Sequence, residues 1–173
     1  MPQGRRLLDK SAMNTLNIAL INLLFPHARA IFALRDPRDV AISCFMQPFE
    51  LSPITVHWLD WEDGARMYAE TMSFWRVMRE RLSLGVVVCR YEHLVEDLRG
   101  AVEPVLAHCG LEWHDACEGF HIHERGEAIR TPSYAQATRP IYKRAVGRWH
   151  VYAEPIAAIG PVLAPALVDF GYA

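Results

Sequence analysis

Five consecutive apolar residues at positions 30–34 are followed at once by the segment Arg35-Asp36-Pro37. An uninterrupted apolar run of this length is typical of a strand covered on both faces, as in a parallel sheet between layers of helices. Asp36 can cap a helix whose first position is Pro37, and the helix dipole favours the negative charge of Asp39 in the first turn. The sequence therefore predicts a buried strand that passes directly into a capped helix.

The rest of the chain alternates between short apolar runs and helical patterns. Strands are predicted over residues 6–9, 29–35 and 86–91, and helices over residues 16–25, 37–47, 56–82, 92–97, 100–109 and 155–170. Such alternation indicates right-handed crossovers in a parallel sheet. Residues 121–148 lack a clear period and are predicted to form a long loop over the sheet edge. We expect one α/β domain over residues 1–173, with a parallel sheet flanked by helices.

The charge balance excludes several classes of partner. The 18 basic and 20 acidic residues give a net charge of -2, so the basic surface of a protein that binds nucleic acid or anionic membrane is missing. The longest apolar stretches, residues 18–25 and 156–168, are too short or too broken by Asn, Gly and Pro to span a bilayer. Residues 1–10 lack the apolar run and cleavage site of a secretory signal. We therefore expect a cytoplasmic protein with no nucleic-acid and no membrane partner.

The cysteines do not form a recognisable framework. They are dispersed at positions 44, 89, 109 and 117, which suggests reduced thiols more than disulfides. Cys109 and Cys117 lie near His114, His121 and His123, but these spacings match no paired zinc-binding pattern. We therefore expect no metal site.

Three residues suited to ligand binding fall at the carboxyl ends of the predicted strands: Lys10, Arg35 and Tyr91. In open α/β sheets, ligands bind outside these strand ends, where helix N-termini present unpaired N–H groups. Arg35 offers a guanidinium fork for a phosphate, and Ser43, eight residues further on, can add a hydroxyl donor. A lysine, an arginine and an aromatic residue at one edge of the sheet together predict a phosphorylated ligand that contains a nucleobase. The alternatives are that Arg35 only pairs with a neighbouring aspartate, that Lys10 pairs with Asp9 and that Tyr91 only packs.

Residues 25–43 resemble the 3′-phosphate-binding segment of sulfotransferases that use 3′-phosphoadenosine 5′-phosphosulfate (PAPS). The resemblance continues through Asp9-Lys10, residues 90–94, residues 109–113 and residues 130–142, and so covers nearly the whole chain. The pattern is similar to that of bacterial proteins related to tyrosylprotein sulfotransferases. It implies a sulfotransferase fold like that of the P-loop NTPases, with PAPS as the sulfuryl donor and no metal.

The resemblance also implies roles for particular residues. Arg35 and Ser43 would hold the 3′-phosphate of the donor, and Tyr91 would contact the adenine side of the nucleotide. Lys10 would stabilise charge as the sulfuryl group leaves the bridging oxygen.

The late part of the chain carries a second set of matches. Ser133 and Arg139 match the loop that closes over the nucleotide phosphates, and both would bind the donor. Residues 147–149, Gly-Arg-Trp, look like the closing segment of the family. The resemblance therefore implies that the nucleotide site is completed by residues from the end of the chain.

One part of the family pattern is missing. Sulfotransferases of this kind begin with a strand and a Pro-Arg-Ser-Gly-Thr-Thr-like loop that cradles the 5′-phosphosulfate, whereas only nine residues precede Lys10. The chain therefore resembles the C-terminal portion of the family domain, incomplete at its N-terminus. In the tyrosylprotein relatives the missing region also supplies the general base. The sheet would lack a central strand, and an exposed apolar edge favours pairing with another chain, so we expect a homo-oligomer.

Two functions stay open at this point, and with them whether the chain alone is an enzyme. A sulfotransferase would transfer a sulfuryl group from PAPS to an acceptor hydroxyl or amine, but loss of the phosphosulfate loop should remove more catalysis than loss of any single side chain. The alternative is a non-catalytic fragment that binds a 3′,5′-bisphosphorylated adenosine, or a protein-interaction module. A nucleotide kinase is disfavoured because the chain has no Gly-Lys-Ser/Thr phosphate loop. The acceptor itself is not predicted, because its contacts would lie in variable loops.

Overall fold

The computed structural model describes residues 6–119 and 141–173. In these ranges six α-helices surround a two-stranded parallel sheet. The elements are α1 (Asn14–Leu24), β1 (Arg29–Leu34), α2 (Pro37–Phe45), α3 (Trp61–Arg79), β2 (Gly85–Arg90), α4 (Tyr91–Glu96), α5 (Leu98–His108) and α6 (Ala153–Asp169). Short 3-10 helices span Thr55–Leu59, Asp115–Cys117 and Arg148–Tyr152. The predicted α/β class, with a parallel sheet flanked by helices, is confirmed.

The two strands pair in register from one end to the other. Arg29 lies opposite Gly85, and Leu34 lies opposite Arg90. Because both strands run in the same direction, their carboxyl ends meet at one edge of the sheet. The residues that follow β1 and β2 are therefore neighbours.

The hydrophobic core lies against one face of the sheet. Phe32 and Leu34 are buried, and the Phe32 ring stacks on Trp75 of α3 with ring centroids 4.1 Å apart. Ile31, on the opposite face of β1, is 42% exposed. The prediction that β1 is covered on both faces is therefore wrong for the part of the chain that the structure describes: side chains alternate along a strand, and the buried ones, Phe32 and Leu34, lie on one face.

Helix α6 is a core element of the fold. Its buried side chains recur at helical spacing and join the same cluster as β1 and α3: Ile156, Ile159, Leu163 and Ala166. By length and composition alone, the segment Arg148–Asp169 is apolar enough to cross a membrane. A core helix meets the same criteria, so the expectation of no membrane partner stays a prediction.

Local capping chemistry explains where the predicted helix over residues 56–82 departs from the structure. Asp60 adopts extended backbone angles (φ -120°, ψ 136°), and its side chain accepts the N–H of Asp63 at 2.8 Å. An aspartate in this role ends the preceding 3-10 turn and starts a new helix. The segment is therefore two helices that are divided at Asp60.

The predicted strand over residues 6–9 is wrong. These residues are irregular and pair with neither strand of the sheet. Leu7 and Leu8 are 77% and 83% exposed, whereas the Arg6 guanidinium donates hydrogen bonds to the carbonyls of Cys109 and Gly110. The segment is thus held by side-chain hydrogen bonds rather than by a ladder of backbone hydrogen bonds. Most of the predicted loop over residues 121–148 lies outside the described residues.

Candidate functional site

The carboxyl ends of β1 and β2 bring two of the predicted ligand-binding residues together. The register places Arg35 and Tyr91 side by side, each directly after its strand. The guanidinium carbon of Arg35 lies 4.8 Å from the centre of the Tyr91 ring, a distance typical of a cation–π contact. Burial raises the pKa of the Tyr91 hydroxyl, and the nearby positive charge of Arg35 opposes this effect. We call the region formed by Arg35, Tyr91 and residues 145–149 the rim.

Arg35 is held along one edge of its guanidinium. Its Nη2 donates a hydrogen bond to the carbonyl of Ala145 at 2.6 Å and lies 3.7 Å from Oδ2 of Asp39. Its Nε is buried and has no hydrogen-bond partner among the described residues. A buried donor without a partner is rare in folded proteins and calls for an explanation. The pairing with a neighbouring aspartate that the sequence suggested does form, and it occupies only Nη2.

Asp39 lies beneath this arginine in the first turn of α2 and is 1% exposed. Its Oδ2 accepts the N–H of Gly147 at 2.8 Å, and its Oδ1 accepts the N–H of Trp149 at 2.9 Å. Burial raises the pKa of the Asp39 carboxyl, although these two N–H groups and the charge of Arg35 act in the opposite direction. One carboxylate thus ties the residues after position 144 to the start of α2.

The start of α2 is built as the sequence predicts. The Asp36 side chain accepts the N–H of Arg38 at 2.9 Å, and Pro37 occupies the first helical position. The Arg38 guanidinium turns back to make two hydrogen bonds to the same carboxylate, at 2.9 and 2.7 Å. It also covers the Trp149 ring, 3.9 Å from the ring centre. The arginine that is bound to the helix cap therefore also packs against Trp149.

Glu92, in the first turn of α4, links the two strand ends to the C-terminus. Its Oε1 accepts the N–H of Asp36 at 3.0 Å, and its Oε2 accepts the Tyr172 hydroxyl at 2.7 Å. Burial and this hydrogen bond raise the pKa of Tyr172. Sequence reasoning missed the roles of Glu92 and Asp39, because their partners lie 56 to 110 residues away along the chain.

Ser43 lies in α2, one turn beyond Asp39 and on the same helix face. It is half-buried. Arg35 precedes α2, and the structure describes no hydrogen bond that joins it to Ser43. Burial raises the pKa of the next residue, Cys44, to about 11, and the positive charge of Arg35 lowers it in part.

Lys10 lies in an exposed, irregular segment before α1. The far end of α1 is fixed by Asn22, whose side-chain oxygen accepts the N–H of Leu84 at 3.0 Å, just before β2 begins. Lys10 is therefore at the opposite end of α1 from the amino ends of the strands. Asp9, the alternative partner that the sequence suggested for Lys10, instead accepts a hydrogen bond from Asn14 at 2.8 Å. Arg35 and Tyr91 each follow a strand, whereas Lys10 lies in an irregular segment. The prediction that all three residues follow strands is therefore wrong for Lys10.

Some predicted site residues lie outside the described part of the chain. Ser133 and Arg139 both fall in residues 120–140. Within residues 6–119 and 141–173, no group of three or more His, Cys, Asp or Glu side chains could hold a metal ion. His121 and His123 are outside these ranges, and the expectation of no metal stays a prediction.

Comparison with known proteins gives two matches. A family model described as "Sulfotransferase family" matches residues 1–115. A protein of Aquifex aeolicus (strain VF5), described only as uncharacterized, is 26% identical over 162 residues. This similarity covers 91% of the chain and 21% of the Aquifex protein, so the chain spans about a fifth of that relative's length.

Proposed function

Because the chain belongs to the sulfotransferase family, whose members have a P-loop-like fold, we propose that its rim binds the nucleotide part of PAPS. The family supports a sulfotransferase-type function. The finer proposal is that Arg35 and Ser43 hold the 3′-phosphate and that Tyr91 lies on the adenine side. Ser133 and Arg139 would close over the phosphates.

The observation that carries this proposal is the hydrogen bonding of the Arg35 guanidinium. Its Nη2 is committed to Ala145 and lies near Asp39, whereas its buried Nε has no partner among the described residues. A phosphate oxygen is a strong acceptor that would satisfy this donor, and a guanidinium suits phosphate geometry. Tyr91 beneath the guanidinium limits its motion without using any of its N–H groups. The arginine is thus held in place for an anion.

Ser43 would add a second donor to the same phosphate. It lies one turn along α2 from Asp39, whose Oδ2 is 3.7 Å from Arg35. The amino end of α2 carries a partial positive charge, which favours an anion close to its first turn. This placement supports a shared role for Arg35 and Ser43, and their two single variants test it separately.

Lys10 is proposed to act on the departing group. In the reaction, the bond between the sulfuryl sulfur and the bridging phosphate oxygen breaks, and a bond from sulfur to the acceptor oxygen or nitrogen forms. The acceptor proton passes to a base, and adenosine 3′,5′-bisphosphate leaves. The lysine ammonium would stabilise the negative charge that develops on the bridging oxygen. The resemblance of Asp9-Lys10 to the family segment that keeps a lysine for this purpose supports this role.

The surroundings of Lys10 favour a second candidate function. Leu7 and Leu8, which precede it, are almost fully exposed, so the segment lacks the packing that holds a catalytic group within a fraction of an ångström. The second candidate is a nucleotide-binding chain that does not turn over PAPS by itself. Self-association and a cytoplasmic location are further proposals that accompany either function.

Calorimetric titration with adenosine 3′,5′-bisphosphate and adenosine 5′-monophosphate tests the shared part of both candidates. We expect the bisphosphate to bind at least about tenfold more tightly, because a charge-assisted contact contributes about 1.5 to 3 kcal/mol. Equal affinities would contradict the 3′-phosphate site.

Incubation with PAPS and a phenolic acceptor, followed by mass spectrometry, then separates the two candidates. Sulfated acceptor that disappears in Lys10→Ala supports the enzyme. Binding without turnover supports the non-catalytic chain, and turnover that survives in Lys10→Ala contradicts the role given to Lys10.

A further inference from the structure

The turn that begins at Gly147 forms a cradle for an anion. Gly147 has φ 67° and lies in the left-handed region, and a 3-10 helix begins at the next residue. A left-handed residue next to a right-handed one points the flanking N–H groups to one side, an arrangement that binds anions. Here the N–H groups of Gly147 and Trp149 converge on the carboxylate of Asp39. The anion in this cradle is part of the protein itself.

The same segment also contacts Arg35, the residue that is proposed to bind the phosphate. The carbonyl of Ala145, two residues before Gly147, accepts the hydrogen bond from Nη2 of Arg35 at 2.6 Å. Oδ2 of Asp39 lies 3.7 Å from that nitrogen. Asp39 therefore acts on Arg35 by two routes, directly through charge and indirectly through the segment that it holds.

Burying a carboxylate is costly unless its oxygens are hydrogen-bonded or paired. Asp39 has two N–H partners and a nearby guanidinium, so the three groups satisfy one another. Replacement of the carboxylate leaves two backbone N–H groups without their acceptor and frees Ala145 to move. The orientation of Arg35 then depends on Tyr91 alone.

We propose that Asp39 is a positioning residue, which fixes residues 145–149 on α2 so that Nη2 of Arg35 is occupied and its Nε edge faces the 3′-phosphate. This inference rests on the proposed function and deepens it. Asp39 does not touch the nucleotide; it sets the direction in which Arg35 presents its unpartnered Nε. The cradle at Gly147 is closed to the ligand because Asp39 fills it.

The test compares the wild type with Asp39→Asn, which keeps the size of the side chain but loses its charge and one acceptor. Asp97→Ala is the control, because Asp97 also accepts an N–H at a helix start, that of Gly100 at 2.9 Å, but in an exposed cap that does not contact Arg35. Calorimetry measures the ratio of the affinities for adenosine 3′,5′-bisphosphate and adenosine 5′-monophosphate. NMR hydrogen exchange follows the amides of Gly147 and Trp149.

We expect Asp39→Asn to lower the affinity ratio about tenfold and to speed exchange at both amides, and Asp97→Ala to change neither. Faster exchange with an unchanged ratio would overturn the inference, because the role of Asp39 would then be structural only. Tighter binding of the bisphosphate by Asp39→Asn would overturn it as well, because the carboxylate would then compete with the ligand anion. If the wild type itself shows no preference, the proposed function fails and the inference fails with it.

A second variant applies if Asp39→Asn does not fold. Gly147→Ala keeps Asp39 and disturbs the cradle from the other side, since an added Cβ strains the left-handed backbone and lies 3.3 Å from Cδ2 of His150. The same drop in the affinity ratio is expected. An unchanged ratio, together with faster exchange of the Trp149 amide, would again overturn the inference.

Discussion

The guanidinium carbon of Arg35 lies 4.8 Å from the centre of the Tyr91 ring. The two residues are 56 positions apart in the sequence and meet because β1 and β2 pair in parallel and end together. The contact holds a cation at the carboxyl edge of the sheet without engaging its N–H groups. It therefore leaves the arginine able to bind an anion.

Replacement of this arginine should weaken nucleotide binding. We expect Arg35→Ala to cost about 1.5 to 3 kcal/mol of adenosine 3′,5′-bisphosphate affinity, the range for a charge-assisted hydrogen bond. Arg66→Ala is the control, because Arg66 forms an exposed ion pair with Glu62 on α3. Calorimetry of the two variants checks the prediction. Equal losses in both would show that Arg35 is not part of the site.

The Tyr91 ring, rather than its hydroxyl, should matter for Arg35. Tyr91→Phe keeps the face that contacts the guanidinium, so we expect its bisphosphate affinity to stay within about twofold of the wild type. Tyr91→Ala removes the face and should cost about 0.5 to 1 kcal/mol of binding. Titration of both variants measures the difference. A large loss in Tyr91→Phe would instead point to a direct contact of the hydroxyl with the ligand.

Asp36 should contribute more stability than an ordinary helix cap. Asp36→Ala removes the cap of α2 and also both hydrogen bonds to Arg38, so we expect the free energy of unfolding to fall by about 2 to 3 kcal/mol. Asp97→Ala removes an exposed cap alone and should cost about 1 kcal/mol. Urea denaturation compares the two. Equal losses would show that the pair with Arg38 adds nothing to stability.

Tyr172 should make the protein sensitive to alkali. Its pKa is raised in the folded state by burial and by the hydrogen bond to Glu92, so the unfolded chain loses this proton first. The stability that Tyr172 contributes is complete below its unfolded pKa of about 10 and is lost as the pH rises through the folded value.

Tyr172→Phe tests this linkage. The variant should lose about 1.5 kcal/mol of unfolding free energy at pH 8, the low end for a hydrogen bond to a charged group. Its stability should also fall less steeply than that of the wild type above pH 10. Thermal melts over this range measure both effects. Parallel pH profiles for the two proteins would contradict the assignment.

The Cys44 thiol should react slowly with alkylating reagents in the folded protein. Burial raises its pKa to about 11 from an ordinary value of 9.0, which lowers the thiolate fraction at pH 8 about a hundredfold. We expect iodoacetamide to modify Cys44 correspondingly slowly in the folded protein, as followed by peptide mass spectrometry. The same protein unfolded in urea is the control and should react at an ordinary rate. Rapid modification in the native state would show that α2 opens near Arg35.

Several features of the fold could be predicted because their causes are local. The helix start at Asp36 and Pro37 depends on residues within one turn, and the apolar run of β1 forms the expected strand. Residues 6–9 show the limit of this reasoning. A short run with two leucines predicted a strand there, but a strand needs a partner for its backbone groups, and these residues pair with neither strand of the sheet.

The candidate site likewise combines features with local causes and contacts that depend on tertiary packing. The amino-acid sequence is enough to predict that an arginine follows one parallel strand and a tyrosine follows the other, because the residues next to each strand mark where it ends. The hydrogen bonds from Gly147 and Trp149 to Asp39, which span 108 and 110 residues, depend instead on the packing of the folded chain. No local rule pairs a carboxylate with amides so far along the chain, because the contact exists only after α2 and the end of the chain pack on the same core.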